Sequence, residues 1–338
     1  MRQVVLEGLE HFVIRDVPKP EPRTGDALVR SERVGICGSD LHAYHDKHPF
    51  ITLPVVPGHE VVGVVEALGA GVTELNVGDR VILEPNIVCG ECRHCRSGRY
   101  NLCENLTVVG CVGPLDGAMA DYFIAPAQRF LVADPRLDLS QAAMVEPLAT
   151  ATHAVRVAGG TAGKRVAVLG LGSIGLLTMQ GARAGGASVI VATDLNPAKR
   201  KRATELGADA VFDPKESDAV ERMRECMGGS ADVVFDCVAF QSTMDQAIAL
   251  AHKGGTVIVE GVPEHDITVP LAIIQDREIR LQGTAMYTRE DMLTAMDLIA
   301  TGKVDAGSLV TSTIPVEQVA KGFASADAGK DIKVHLSF

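Results

Sequence analysis

The chain predicts an α/β fold that joins a many-stranded β-barrel lobe to a doubly wound parallel sheet. Three observations predict it. Strand and helix patterns alternate from residue 164 to about residue 283, and a G-x-G-x-x-G run follows an apolar strand there. The half before it is cut into short strands around a cluster of four cysteines. Alternation of the first kind buries a parallel sheet between helices, whereas short strands punctuated by Gly and Pro build barrels.

At 338 residues and 46% hydrophobic content, the chain supports about two domains with real cores. The barrel lobe is expected over 1–147, with strands at 26–33, 59–68, 79–85 and 121–124. The parallel-sheet domain is expected over 148–284. Its strands read as 165–169, 188–192, 210–212, 232–237, 256–260 and 278–282, with helices at 174–184, 198–206 and 243–251 between them. Residues 285–338 mix a helix at 289–301 with short strands, too little for a domain, so they are expected to return to the first lobe.

A formal net charge of -11 argues against a nucleic-acid partner, which demands a basic face. No stretch approaches the ~18 apolar residues of a membrane span. Residues 1–8 show neither the basic start nor the apolar run of a secretion signal, so the expected compartment is the cytoplasm. Eight cysteines in a reducing compartment point to metal or catalysis rather than disulfides.

Cys89, Cys92, Cys95 and Cys103 follow the pattern C-x2-C-x2-C-x7-C. Thiolates two residues apart can turn around one ion, and the longer excursion brings a fourth sulfur to close a tetrahedron. The intervening residues are polar and turn-forming, so these are not ordinary core cysteines. A structural zinc lobe over 89–103 is expected. A closed four-thiolate cage has no open position and does no chemistry, so a second, open site is needed for any reaction.

Gly170, Gly172 and Gly175, with Ser173 and Ile174 between the last two, follow the strand ending at Leu169 and open a helix. In that context the run is a dinucleotide fingerprint: a tight turn, a close approach to a diphosphate, and a close packing of helix on strand. Asp194 ends the next strand, 19 residues past Gly175, where a carboxylate can accept from the adenosine ribose and repel a 2′-phosphate. NAD is therefore expected over NADP. Lys199 and Arg200 are the opposing signal, since cations could hold that phosphate; Lys199 is counted among the expected cofactor contacts, with Gly261, Val262, Ala285 and Met286.

Cys37 in G-I-C-G-S-D-L-H, His59 and Glu60 in P-G-H-E, the four-cysteine lobe, Glu146 in E-P-L and the glycine run stand in this order over essentially the whole chain. Together they resemble the zinc-dependent medium-chain dehydrogenases, especially the sorbitol and xylitol dehydrogenases of the polyol branch. The resemblance implies a GroES-like catalytic domain beside a Rossmann domain and two zinc ions per chain. It also implies a homotetramer, and a reaction that oxidises a secondary alcohol of a small polyol to the ketone with NAD. It makes Cys37, His59 and Glu60 ligands of a catalytic zinc, with Glu146 beside them. One thiolate and one carboxylate already neutralise Zn²⁺, and four protein ligands would leave no position for substrate. Glu146 is thus expected to meet a metal-bound water or exchange with it.

The same resemblance gives Ser39 the alcohol's proton and His42 the relay towards solvent. Metal-bound histidines generally need a partner on the second ring nitrogen, which is expected to be Asp40 for His59, the alternative being a turn residue after Ser39. Two departures bear on substrate. Only 22 positions separate Cys37 from His59, and Met286 stands where sorbitol dehydrogenases carry an Arg before Tyr287. Met cannot donate to a hydroxyl, so a shorter polyol, a diol, a sugar acid or a hydroxy amino acid stays open. The alternatives are a threonine or butanediol dehydrogenase with the same zinc set, or a non-catalytic structural relative. Ser39 counts against the threonine enzymes, which more usually carry Thr there, and the complete ligand set counts against a structural relative.

Overall fold

The computed structural model describes residues 1–338. Two compact units divide it: Met1–Glu146 with Thr288–Ala300 and Ala306–Phe338, and Pro147–Tyr287 with Thr301–Asp305. The return to the first unit thus comes at Thr288 rather than 285, and a short stretch goes back to the second unit. The backbone N–H of Asp305 donates to Gln180 Oε1 at 2.8 Å, which ties that stretch there.

In the second unit six parallel strands lie in the order Ala210–Phe212, Val189–Thr193, Arg165–Leu169, Ala231–Asp236, Ala251–Val259, Arg280–Gly283. In chain order this is 3-2-1-4-5-6, the doubly wound arrangement, with the reversal beside the strand that carries the glycine run. The inner strands Arg165–Leu169, Val189–Thr193 and Ala231–Asp236 are mainly apolar and buried because helices cover both faces. Leu169, Val191, Val234 and Val257 meet Met223 and Met244 of the helices in one buried cluster.

The first unit is built on Asp26–Gly35, which pairs antiparallel with Glu60–Leu68, Tyr122–Pro126 and Lys333–Ser337. Register shifts after Leu28 and Ser31 interrupt its ladder with Glu60–Leu68, and extra residues of this kind bend a strand. Arg80–Leu83 and Phe130–Val132 extend one side of the sheet and Val310–Pro315 the other. Its core includes Val29, Val34, Val61, Leu83, Phe123, Phe323 and Leu336.

Sequence patterning overlooks several elements, among them a hairpin, a helix and the last strand. Arg2–Gly8 and His11–Asp16 form a hairpin whose Val4, Val5 and Leu6 are all buried, so no alternation marks it. Helix Val145–Val157 carries Pro147 in its first turn, where a missing N–H costs nothing. Lys333–Ser337 is the strand through which the tail joins the first sheet.

Candidate metal centres and nucleotide site

The four-cysteine loop turns on Gly90 and Gly98, both at positive φ, and on the short helix Arg93–Arg96 that Cys92 caps. One ligand atom from each of Cys89, Cys92, Cys95 and Cys103 lies within 4.8 Å of all the others. Two of the sulfur pairs stand at 3.5 and 3.9 Å. A tetrahedron with Zn–S near 2.3 Å has edges of about 3.8 Å, so the loop fits that ion. The backbone N–H of Cys95 donates to Cys92 Sγ and brings that thiol down to about 6. Burial pushes Cys95 up to about 12. Tyr100, just before Cys103, donates to buried Glu84 at 2.7 Å and anchors the lobe to the sheet.

The second group forms where strand Asp26–Gly35 ends beside the start of Glu60–Leu68. Cys37, His59 and Glu60 each place a ligand atom within 4.8 Å of the others. Gly35 makes this possible: a Cβ there would lie 2.0 Å from Glu60 Oε2. Cys37 precedes helix Gly38–Tyr44, and its N–H donates to Asp40 Oδ2 at 2.9 Å, which fixes the loop. Burial works against a charge on His59, but nearby Cys111, Cys37 and Asp40 outweigh it and raise the ring well above its ordinary value. A site that favours positive charge and presents S, N and O donors suits a divalent cation.

Lys333 enters this centre from the last strand. Its Nζ donates to Glu60 Oε1 and Oε2, both at 2.6 Å, and to the Ile36 carbonyl at 3.1 Å. Burial opposes the ammonium, and Glu60 and Cys37 overcome it and hold its pKa above normal. His335, two residues on, is pushed down to about 3 by burial and by the Lys333 charge. Sequence reading missed Lys333 because nothing near residue 333 marks it; only strand pairing delivers it to Glu60.

Ser39 and His42 occupy helix Gly38–Tyr44, both partly exposed. Glu146 is buried in the first turn of helix Val145–Val157 and is not among the atoms grouped within 4.8 Å. Its charge reaches Lys333. His48, which the sequence reading passed over, feels the charges of His42 and His59; burial first, then those rings, lower its basicity.

In the second unit the expected nucleotide residues gather at the carboxyl ends of the parallel strands. Gly170 has φ +89°, and a Cβ on Gly175 would lie 1.8 Å from the Gly170 carbonyl, so both positions require glycine. Gly172 caps helix Ser173–Ala184 with open space where its Cβ would stand. Beside it the buried Ser173 Oγ has no protein partner, and Ile174 follows. An open cradle, free helix N–H groups and an unpaired hydroxyl fit a diphosphate. Asp194 Oδ2 accepts from Leu171 N–H at 2.8 Å and Oδ1 from Asn196 N–H at 2.7 Å. The carboxylate therefore shapes the loop and keeps lone pairs for a ribose. Arg200 is committed to the Asp194 and Leu195 carbonyls and to Asp213, while Lys199 lies partly exposed on helix Pro197–Glu205. Gly261 and exposed Val262 follow strand Ala251–Val259; Ala285 and Met286, the latter at φ +52°, follow Arg280–Gly283.

One further acid lies here unannounced by any motif. Glu260 accepts from Thr178 Oγ1 at 2.9 Å and from the Cys237 thiol at 3.7 Å, and burial pushes it up to about 8.

Comparison with known proteins agrees with this geometry. Residues 23–135 match the alcohol dehydrogenase GroES-like domain and residues 173–301 the zinc-binding dehydrogenase family. The chain is 34% identical to D-xylulose reductase A of Aspergillus oryzae, over 98% of this chain and 95% of that protein. Among solved structures, a zinc-binding dehydrogenase candidate from Sinorhizobium meliloti 1021, bound to NADP, superposes with TM-score 0.93 at 35% identity, covering 100% and 99% of the two chains. The 2R,3R-butanediol dehydrogenase of Bacillus subtilis does so with TM-score 0.92 at 30% identity, again covering 100% and 99%. The chain therefore belongs to the zinc-dependent medium-chain dehydrogenases, in their polyol branch.

Proposed function

We propose that this protein is an NAD-dependent zinc dehydrogenase that oxidises a secondary alcohol of a polyol to the ketone. The observation that carries the reading is the convergence of Cys37, His59 and Glu60 in a buried, cation-favouring pocket. Bound zinc and nicotinamide would supply Lewis acidity and the hydride acceptor respectively. The chain's own residues do the rest. Cys37, His59 and Glu60 hold the catalytic ion, and Cys89, Cys92, Cys95 and Cys103 hold a second, structural one. Ser39 takes the alcohol proton and His42 passes it towards solvent; Glu146 orders the neighbouring water. The glycine loop with Ser173 holds the diphosphate, and Asp194 selects NAD because Arg200 is already engaged.

Two associated readings accompany it. Arg280–Gly283 is an edge strand with exposed Leu281, flanked by exposed Leu271 and Ile273, and supports a homotetramer built through that edge. Strand Ala251–Val259 lies between two others and cannot serve that role. No helix is long and apolar enough to cross a membrane, and a cytoplasmic location is proposed with the thiol-rich sites.

The test is absorbance of the reduced nicotinamide when the protein meets NAD or NADP and a panel of xylitol, other polyols, 2,3-butanediol and threonine. Turnover of a polyol with NAD is expected. Turnover confined to butanediol or threonine would replace the substrate class, and no reduction of either nucleotide by any alcohol would overturn the reading.

A further inference from the structure

The second ring nitrogen of His59 has a closer neighbour than the acid that sequence reasoning assigns to it. Asp40 Oδ1 stands 3.9 Å from His59 Nδ1, beyond hydrogen-bond reach, and this buried oxygen has no partner. Its sister Oδ2 is held by the Cys37 N–H. Cys111 Sγ lies 3.2 Å from the same Nδ1, inside the range of a hydrogen bond to sulfur.

The approach is built into the backbone. Gly110 has φ +71°, and a Cβ on it would stand 2.8 Å from the Gly58 carbonyl oxygen and 3.0 Å from the Gly58 nitrogen. The missing side chain of Gly110 thus lets the segment that carries Cys111 lie against the one that carries His59. The turn is pinned by Cys111 N–H donating to the Val108 carbonyl at 3.0 Å. Asp40, His59 and Cys111 form a donor group of their own, each with an atom within 4.8 Å of the others.

We infer that Cys111 is a positioning residue for the catalytic metal: it accepts from His59 Nδ1–H and so sets the tautomer and ring angle with which Nε2 faces the ion. A metal-bound histidine needs such an acceptor, and outer partners of this type change metal affinity by about 10–100-fold. A thiol is a weaker acceptor than a carboxylate, so this arrangement holds zinc less firmly than an Asp contact would. The inference rests on the zinc site proposed above.

The experiment uses the full chain loaded with zinc, and reads release to a colorimetric chelator for wild type, Cys111→Ala and Cys111→Ser. Cys111 lines a cavity of about 350 Å³ with Phe50, Thr52 and Asp116, so truncation opens onto existing space. Cys111→Ala should release the first zinc about 10-fold faster while the four-thiolate zinc stays bound, which also reports that the fold is intact. Cys111→Ser, whose hydroxyl still accepts, should recover most of the loss. Cobalt in place of the first zinc should show shifted visible bands in Cys111→Ala. Equal release and an unmoved cobalt spectrum would overturn the positioning role, as would a Ser variant no better than Ala. Wild-type protein whose one zinc is the four-thiolate one would instead sink the reading of the Cys37, His59 and Glu60 site and this inference with it.

Discussion

Lys333 and Glu60 form a two-point ion pair inside the first unit, with Nζ 2.6 Å from each carboxylate oxygen and the side chains only 4% and 1% exposed. Glu60 is thereby kept ionised: burial alone would raise its pKa, and Lys333 followed by His59 brings it below the ordinary carboxylate value. The carboxylate proposed for the metal thus already has a resident cation.

Lys333→Met should strand that buried carboxylate at a cost of about 3–5 kcal/mol in the metal-free protein. Zinc would neutralise Glu60 in its place, so the loss should shrink when the site is loaded. Urea unfolding with and without chelator reads both numbers; equal losses would mean that Glu60 does not meet the ion.

Two zinc ions per chain are expected by elemental analysis, and a chelator should take the one at Cys37, His59 and Glu60 first. A closed cage of four thiolates binds harder than an open site containing a carboxylate. Cys92→Ser should lower thermal stability far more than it lowers turnover per folded molecule.

Asp194→Ala should weaken NAD binding by about 1–3 kcal/mol and relax discrimination against NADP, measured by titration of each nucleotide. Part of that loss comes from freeing the Leu171 and Asn196 N–H groups, so Asp194→Asn should be milder for NAD while still admitting NADP. Arg200→Ala should leave the preference in place.

Glu260 makes stability depend on pH in a definite direction. Its pKa rises from 4.5 to about 8 on folding, so the folded chain holds a proton that the unfolded chain has released between those values. Stability from this group is complete below the unfolded pKa and is lost as pH rises through the folded one, by at most about 5 kcal/mol. Glu260→Gln should flatten the fall in unfolding free energy between about pH 4.5 and pH 8; a parallel fall in the variant would assign it to other groups.

His42→Ala should cut turnover mainly below neutral pH, where little hydroxide can take the proton, by roughly 10²–10⁴-fold at the limit. Zinc content and NAD affinity should be unchanged. Loss of zinc with an unmoved pH profile would make His42 a structural residue under the metal loop.

Local chemistry wrote much of this protein in plain sight. The four cysteines need only short spacing to meet one ion, and the glycines at 170, 172 and 175 act within one turn, so both features are legible without a fold. The inner parallel strands of the second unit, such as Arg165–Leu169 and Val189–Thr193, are mainly apolar runs between helices, and such runs announce themselves. What the chain alone does not display is contact between residues far apart in sequence. Lys333 reaches Glu60 because the last strand pairs with Asp26–Gly35, and Gly35 leaves room for the carboxylate. Cys111 reaches His59 because Gly110 has no Cβ to strike the backbone of Gly58, and burial raises Glu260 against the hydrogen bonds of Thr178 and Cys237 only once the chain has folded around it. Spacing determines which atoms can share an ion locally; burial and long-range pairing decide the charge, partner and orientation those atoms finally have.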